Sequence, residues 1–182
     1  MSNMAFDIWV DADSVPVNLR QIILRASARL DLRCSFVADR SLPDVRRFMA
    51  DDTFALRQKA REGGETDADA LKAVRTKVSM HVVETGADSA DDYIVENSEQ
   101  GSLCITHDIP LAARLLGKGC TVIDDRGKEY TDADIKVRLG DRLVNREMRS
   151  WGVFADSQRK MGVSDVKAFA DNLDRTLTRM SK

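Results

Sequence analysis

Residues 7–13, Asp-Ile-Trp-Val-Asp-Ala-Asp, decide the fold of this chain. Their three consecutive apolar side chains are typical of a strand that is buried on both faces. The apolar run stops at two carboxylates, Asp11 and Asp13, and Pro16 follows at a position that suits the first turn of a helix. The stretch therefore predicts a buried β-strand that ends in acidic residues and leads directly into a helix.

The same pattern recurs along the chain. Residues 17–30 carry apolar side chains at helical spacing, and four further apolar segments follow, with helical stretches between them. These four segments are residues 32–39, 80–85, 102–108 and 120–125. The alternation predicts an α/β fold with three layers, in which a parallel sheet of about five strands has helices on both faces.

Length and composition indicate one domain that spans residues 1–182. The chain has 182 residues, of which 43% are hydrophobic and 32% charged, enough for one buried core and a solvated surface. Residues 51–77 are polar and mostly helical, and we expect them to be an insertion that stands over the functional edge of the sheet. Residues 131–182 are expected to form basic helices, since residues 136–182 hold eleven Lys and Arg but six Asp and Glu.

The sequence favours a cytoplasmic protein without a membrane anchor. Its amino terminus lacks a basic segment followed by a long apolar one, and no apolar run approaches the roughly 18 residues of a membrane span. The cysteines Cys34, Cys104 and Cys120 lie singly in apolar segments, which argues against both a disulfide framework and a CxxC metal site.

Acidic residues follow the predicted strands. Parallel strands joined by right-handed crossovers present all their carboxyl ends at one edge, where open α/β sheets bind ligands. Asp39 and Asp124 follow the second and fifth strands, but other aspartates form the stronger metal-binding pattern. We expect six aspartates to meet at this edge and bind metal: Asp11, Asp13, Asp88, Asp91, Asp92 and Asp108.

The spacing of these aspartates suits a hard divalent cation. Asp11 and Asp13 lie two residues apart on one side of an extended chain. The second cluster, Asp88, Asp91 and Asp92, has the i, i+3, i+4 spacing of one helix face. Clustered carboxylates repel each other unless a cation or a proton intervenes. Mg²⁺ or Mn²⁺ is therefore the expected cofactor. For Asp88 and Asp108 an alternative stays open, because either could serve only as a helix N-cap.

Two hydrolytic chemistries fit such an edge. One is metal-assisted hydrolysis of a phosphodiester. The other is a haloacid-dehalogenase-like phosphatase, in which Asp11 is the nucleophile and Asp13 the general acid. Thr106, Lys118 and the acidic pair Asp124-Asp125 would complete that site. The helix that starts near Pro16 leaves no room for the flap that follows such a nucleophile, and the helical aspartate cluster would have no role. A protein that binds metal or nucleotide without turnover is the third alternative.

At these residues the sequence resembles the YaiI/YqxD family of uncharacterised bacterial proteins, which is related to PIN-like nuclease domains. The matching segments are residues 8–13 with Pro16, 87–94, 105–112, 118–119, 126–127, 130–131 and 169–174. The resemblance implies a PIN-like fold in which acids after the first strand, in the middle helix and after the fourth strand bind Mg²⁺ or Mn²⁺. Residues 51–77 look inserted relative to that family.

Taken together, these patterns favour a metal-dependent nuclease that hydrolyses RNA. The expected catalytic residues are Asp11, Asp13, Asp91 and Asp108. A basic stripe at three- and four-residue spacing is expected to contact nucleic-acid phosphates, although such a stripe is also typical of a solvated helix face. It consists of Arg138, Arg142, Arg146 and Arg149.

Overall fold

The chain forms one parallel sheet flanked by helices. The computed structural model describes residues 6–84, 86, 89–141 and 161–182 in full, and the helical backbone of residues 142–150. The strands are β1 (Ile8–Asp11), β2 (Cys34–Ala38), β3 (Val78–Val82), β4 (Leu103–Ile105) and β5 (Thr121–Ile123). They are hydrogen-bonded in the order β3-β2-β1-β4-β5, and every neighbouring pair is parallel.

The helices connect these strands. They are α1 (Val17–Arg29), α2 (Pro43–Glu62), α3 (Ala68–Ala73), α4 (Ser89–Asn97), α5 (Ile109–Gly117), α6 (Asp132–Ser150) and α7 (Val163–Met180). The predicted α/β fold, with a parallel sheet of five strands between helices, is confirmed. Within the described residues, no helix combines the length and the apolar character needed to cross a membrane.

The two faces of the sheet pack against different helices because neighbouring strand residues point to opposite sides. On one face, Ile8 and Val10 belong to a core that includes the apolar residues of α1 and α7, such as Leu19 and Phe169. On the other face, Trp9 joins a second core, built largely from α4, α5 and α6. A strand between two apolar layers must itself be apolar on both sides, which explains the uninterrupted apolar run before Asp11.

Strand β1 lies at the point where the strand order reverses. The chain moves outwards from β1 through β2 to β3, and then returns to the other side of β1 to form β4 and β5. Asp11 lies opposite Val37 of β2, and Val10 lies between Phe36 of β2 and Ile105 of β4. The crevice at such a reversal is the usual ligand site of an open α/β sheet, and Asp11 lies at this crevice.

Two details differ from the sequence-based expectations. Strand β3 begins at Val78 and ends at Val82, two to three residues before the apolar run 80–85 that predicted it. Helix α2 runs without a break from Pro43 to Glu62. Residues 51–77 lead from it to the start of β3 and do not stand over the carboxyl edge of the sheet. Val45 of α2 belongs to the core that it shares with α1, and Thr53 accepts a hydrogen bond from the backbone of Thr76, just before β3.

Candidate metal centre at the carboxyl edge of the sheet

Acidic side chains line a cavity of about 180 Å³ at the carboxyl ends of β1, β2 and β3. Among the described residues, Asp11, Asp13, Asp39, Glu84 and Asp91 contribute carboxylates, and Val83, Gly86, Ser89 and Ala90 also line the cavity. The cavity thus combines acids that follow three neighbouring strands with one acid from the first turn of α4. Three of the predicted site residues, Asp11, Asp13 and Asp91, come together here.

Asp11 is the most buried of these carboxylates. It is 6% exposed, and its Oδ2 accepts a hydrogen bond of 2.7 Å from the hydroxyl of Thr106, which follows β4. Burial raises the pKa of Asp11; hydrogen bonds from Thr106 and Ser14 oppose this effect, and the carboxylates of Asp13 and Asp108 reinforce it. A cation beside Asp11 would relieve the repulsion from Asp13 and Asp108.

Asp13 lies closer to solvent and is held by the end of β2. Its Oδ2 accepts a hydrogen bond of 2.9 Å from the backbone nitrogen of Asp39, and its Oδ1 lies 3.0 Å from Nη1 of Arg40. The same nitrogen of Arg40 also lies 3.0 Å from Oδ1 of Asp39. The guanidinium therefore balances the charge of two carboxylates at the mouth of the cavity.

Asp108 caps helix α5. Its Oδ1 accepts a hydrogen bond of 3.0 Å from the backbone nitrogen of Leu111, and its own backbone nitrogen donates to the Thr106 hydroxyl at 3.0 Å. Asp108 is not among the residues that line the cavity, but its charge contributes to the raised pKa of Asp11. The structure thus gives Asp108 the capping role that the sequence had left open, together with an electrostatic effect on the site.

Helix α4 sends its two described aspartates in different directions. Asp91 lines the cavity, whereas Asp92 is 2.7 Å from Nη2 of Arg114 on α5, and its side chain is 57% exposed. Asp91 and Asp92 therefore do not share the cavity, although the helical spacing placed both in the predicted site. Asp88 lies outside the described residues.

The loop between β1 and α1 is fixed by a buried arginine. Arg20 is 7% exposed, and its Nη1 donates to the carbonyl oxygens of Ala12 at 3.3 Å and Val15 at 2.8 Å. Its Nε and Nη2 bind the two carboxylate oxygens of Asp44 at 2.9 and 3.0 Å. Burial alone would raise the pKa of Asp44, but the hydrogen bonds and charge of Arg20 outweigh burial and lower it. This ion pair holds the backbone that carries Asp13.

A second group of polar residues lies at the carboxyl ends of β4 and β5. Nδ1 of His107 is 3.5 Å from Oδ1 of Asp125, at the long limit of a hydrogen bond. Asp125 raises the pKa of His107. Buried Asp124 accepts backbone hydrogen bonds within its own turn, and Arg138 lies 3.9 Å from it and 5.0 Å from the ring centre of Tyr130.

Of the predicted basic stripe, the structure describes the side chain of Arg138. Arg138 faces Asp124 and the Tyr130 ring. Arg142, Arg146 and Arg149 belong to the backbone of α6, and their side chains lie outside the described residues. Contact of the stripe with nucleic acid therefore stays a prediction.

The donor set of the cavity suits a hard cation, because oxygen ligands from carboxylates are those that Mg²⁺ and Mn²⁺ prefer. Within the described residues, no three His, Cys, Asp or Glu side chains lie close enough to hold one metal ion. Metal binding would therefore draw carboxylates of the cavity towards one another. Asp13 is well suited to such a movement, since its side chain is 30% exposed.

The site residues predicted from the sequence did not include Asp39, Glu84 and Arg40. Asp39 had been placed at the end of the second strand, and the same strand-end rule applied to β3 would have indicated Glu84. The shift of β3 towards lower residue numbers explains the omission of Glu84, because the apolar run 80–85 had placed it inside the strand. The ion pairs of Arg40 depend on how close the ends of β1 and β2 lie, which sequence spacing alone does not give.

A family profile described as "Uncharacterized BCR, YaiI/YqxD family" matches residues 66–179. The chain belongs to the YaiI/YqxD family. The resemblance found in the sequence is therefore confirmed, and the profile includes Asp91 and Asp108 of the predicted site.

Similar proteins described as UPF0178 proteins match almost the whole chain. One from Trichlorobacter lovleyi is 36% identical over 175 residues, covering 96% of each chain. One from Psychromonas ingrahamii is 35% identical over 96% of this chain and 97% of its own. One from Syntrophobacter fumaroxidans is 34% identical over 96% of both chains. These relatives are about as long as this chain, so their lengths give no support to an insertion at 51–77.

A more distant similarity is to a solved structure, the catalytic core of Rad2 in complex with a DNA substrate. Its TM-score is 0.33 and its sequence identity 17%, over 96% of this chain and 66% of that chain. At this level the similarity describes neither the fold nor the activity of the present chain.

Proposed function

We propose that the chain is a divalent-metal-dependent nuclease that hydrolyses phosphodiester bonds in RNA. The observation that carries the proposal is the cavity at the point where the strand order reverses, since five carboxylates of the described residues line it. So many acids in a space of about 180 Å³ are costly unless positive charge compensates them. A function that brings cations to this edge would explain why the fold keeps these carboxylates in one cavity.

Asp11, Asp13 and Asp91 are the residues that would hold Mg²⁺ or Mn²⁺. When bound, such an ion would supply Lewis acidity and lower the pKa of a coordinated water molecule. Thr106 fixes the carboxylate of Asp11 through its 2.7 Å hydrogen bond. The Arg20–Asp44 pair fixes the loop that carries Asp13. Asp108, which follows β4, acts on the same site through its charge.

The phosphatase alternative has less support. Nζ of Lys118, its expected lysine, donates to the carbonyl oxygens of Val95 and Glu96 near the end of α4. These partners lie at the far end of the helix whose first turn carries Asp91. In addition, α1 begins at Val17, so only five residues separate the end of β1 from the helix, and no flap follows Asp11. Both observations favour the nuclease.

For the nucleic-acid partner and the compartment, the proposal keeps the expectations from sequence. The basic stripe on α6 is the proposed contact for RNA phosphates. The cytoplasm is the proposed compartment, which agrees with three cysteines that are all buried free thiols.

The proposal is tested by comparing two neighbouring aspartates of α4. In purified, metal-free protein, Mn²⁺ affinity is measured by isothermal titration calorimetry, and cleavage is followed on a labelled single-stranded RNA. Asp91→Asn should weaken both Mn²⁺ binding and RNA cleavage by at least tenfold, because it removes a cavity carboxylate. Asp92→Asn is the matched control and should change neither, since Asp92 pairs with Arg114.

Three outcomes would count against this function. Wild-type protein that binds no Mn²⁺ at millimolar concentration would contradict the metal site itself. Equal effects of Asp91→Asn and Asp92→Asn would show that the cavity is not where the metal binds. Metal binding without cleavage of RNA or single-stranded DNA would leave a binding protein in place of a nuclease.

A further inference from the structure

The mouth of the acidic cavity carries a cation of its own. Nη1 of Arg40 lies 3.0 Å from Oδ1 of Asp13 and 3.0 Å from Oδ1 of Asp39, so one nitrogen is shared between two carboxylates. The contacts that the structure gives Arg40 use this nitrogen alone. A guanidinium presents five N–H donors in a planar fork, so most of its hydrogen-bonding capacity points elsewhere.

Arg20 shows what a structural arginine looks like in this fold. Arg20 is 7% exposed and uses three nitrogens on fixed partners in α2 and in the loop after β1. The side chain of Arg40, in contrast, is 64% exposed, and its two partners are 30% and 43% exposed. Because exposed ion pairs contribute little to stability, Arg40 can leave its carboxylates at small cost to the fold.

We infer that Arg40 is a substrate-positioning residue with two alternative partners. In the metal-free protein its guanidinium neutralises Asp13 and Asp39. When a divalent cation binds Asp13, Arg40 is displaced and binds a phosphate oxygen of the nucleic-acid strand at the mouth of the cavity. The inference rests on the proposed nuclease function and assigns a residue that recognises the backbone of the substrate.

Two physical arguments support this exchange. A divalent ion and a guanidinium on the same carboxylate repel each other, so binding of one weakens binding of the other. A guanidinium also matches the geometry of a phosphate as well as that of a carboxylate, since both accept two parallel N–H bonds. The displaced side chain therefore finds an equivalent partner in any phosphodiester that approaches the metal.

The experiment uses the full chain, with Arg40→Gln as the test variant and Arg29→Gln as the matched control. Arg29 is also an exposed arginine in an ion pair, with a side chain 60% exposed and a distance of 2.6 Å to Asp174, but it lies at the end of α1 away from the cavity. Calorimetry measures Mn²⁺ affinity without RNA. Fluorescence anisotropy then measures binding of a labelled ten-nucleotide RNA with Mn²⁺ present, on ice, and a gel checks that the RNA is intact.

Arg40→Gln should bind Mn²⁺ more tightly than wild type, on the order of tenfold at low salt, because a competing positive charge is gone. The same variant should bind RNA more weakly, and its salt dependence should flatten by roughly 0.7 of a log unit, the value for one single-strand phosphate contact. Opposite changes in the two affinities are the signature of an exchange, and simple loss of structure would weaken both.

Unchanged or weaker Mn²⁺ binding in Arg40→Gln, with normal binding in wild type, would overturn the inference and leave the metal site standing. Unchanged RNA affinity and salt slope would overturn the phosphate contact. Changes of equal size in Arg29→Gln would reduce both effects to overall charge. If neither wild type nor Arg40→Gln binds Mn²⁺, the proposed function fails, and the exchange fails with it.

Discussion

The hydroxyl of Thr106 donates a 2.7 Å hydrogen bond to Oδ2 of Asp11, across the ends of strands β4 and β1. The same oxygen of Thr106 accepts the backbone N–H of Asp108 at 3.0 Å. Thr106 is 1% exposed, so this bridge is shielded from water. A single hydroxyl thereby connects the buried carboxylate of the site to the residue that starts α5.

Thr106→Val should destabilise the protein. Valine keeps the shape of threonine but removes both hydrogen bonds, and a buried hydrogen bond to a charged group contributes roughly 1.5–3 kcal/mol. Urea unfolding followed by circular dichroism measures the free energy of unfolding. Thr106→Ser, which keeps the hydroxyl, should lose clearly less. Equal losses in the two variants would show that the methyl group, and not the bridge, accounts for the effect.

Asp11→Asn should stabilise the metal-free protein near neutral pH. Because burial and neighbouring carboxylates raise the pKa of Asp11, its ionised form is less favourable in the folded chain than in the unfolded one. A neutral amide removes this cost. Mn²⁺ should raise the melting temperature of wild type, measured by calorimetry, but raise that of Asp11→Asn much less. A large, unchanged Mn²⁺ shift in the variant would exclude Asp11 as a ligand.

The Arg20–Asp44 pair should make stability depend on pH in the acid range. The pKa of Asp44 is lowered in the folded chain, so its stabilising effect is complete above its unfolded pKa, near 3.8, and is lost as pH falls through the lower folded value. Asp44→Asn should therefore reduce the free energy of unfolding at pH 7 by roughly 1–3 kcal/mol. The difference from wild type should shrink below about pH 4. A constant difference between pH 7 and pH 3 would contradict this account.

Gly127 should not tolerate a side chain. Its φ of +72° is a conformation that L-residues rarely adopt, and a Cβ there would lie 2.7 Å from Cβ of Asn172 and 3.1 Å from the carbonyl oxygen of Phe169, both in α7. Gly127→Ala should cost more than about 1 kcal/mol. Gly64→Ala is the control, since Gly64 also has a positive φ but no atom within 4 Å of its Cβ position. Similar losses would indicate that backbone conformation alone is responsible.

Much of the fold follows from local patterns. Five apolar runs predicted five parallel strands, because a strand between two helical layers has no polar face. The boundary of β3 was displaced, since Val83 continues the apolar pattern past Val82, the last residue of the strand. Apolar character alone does not mark the residue at which a strand ends.

The site was predictable only in part. The strand-end rule located Asp11 and Asp13, and helical spacing located Asp91. The same spacing could not separate Asp91 from Asp92, because a rotation of 100° between consecutive helical residues decides which one meets the cavity and which one meets Arg114. Arg40 was not predicted, because its ion pairs with Asp13 and Asp39 depend on how closely the ends of β1 and β2 approach each other in the fold.

The position of α7 sets the order of events during synthesis. Phe169 and Leu177 of this helix belong to the same core as Ile8 of β1 and Leu19 of α1. A nascent chain that has not yet reached residue 163 must therefore leave the apolar face of α1 open to water. Completion of this core, and with it a firm support for the strand that carries Asp11, has to wait until residues 163–180 have left the ribosome.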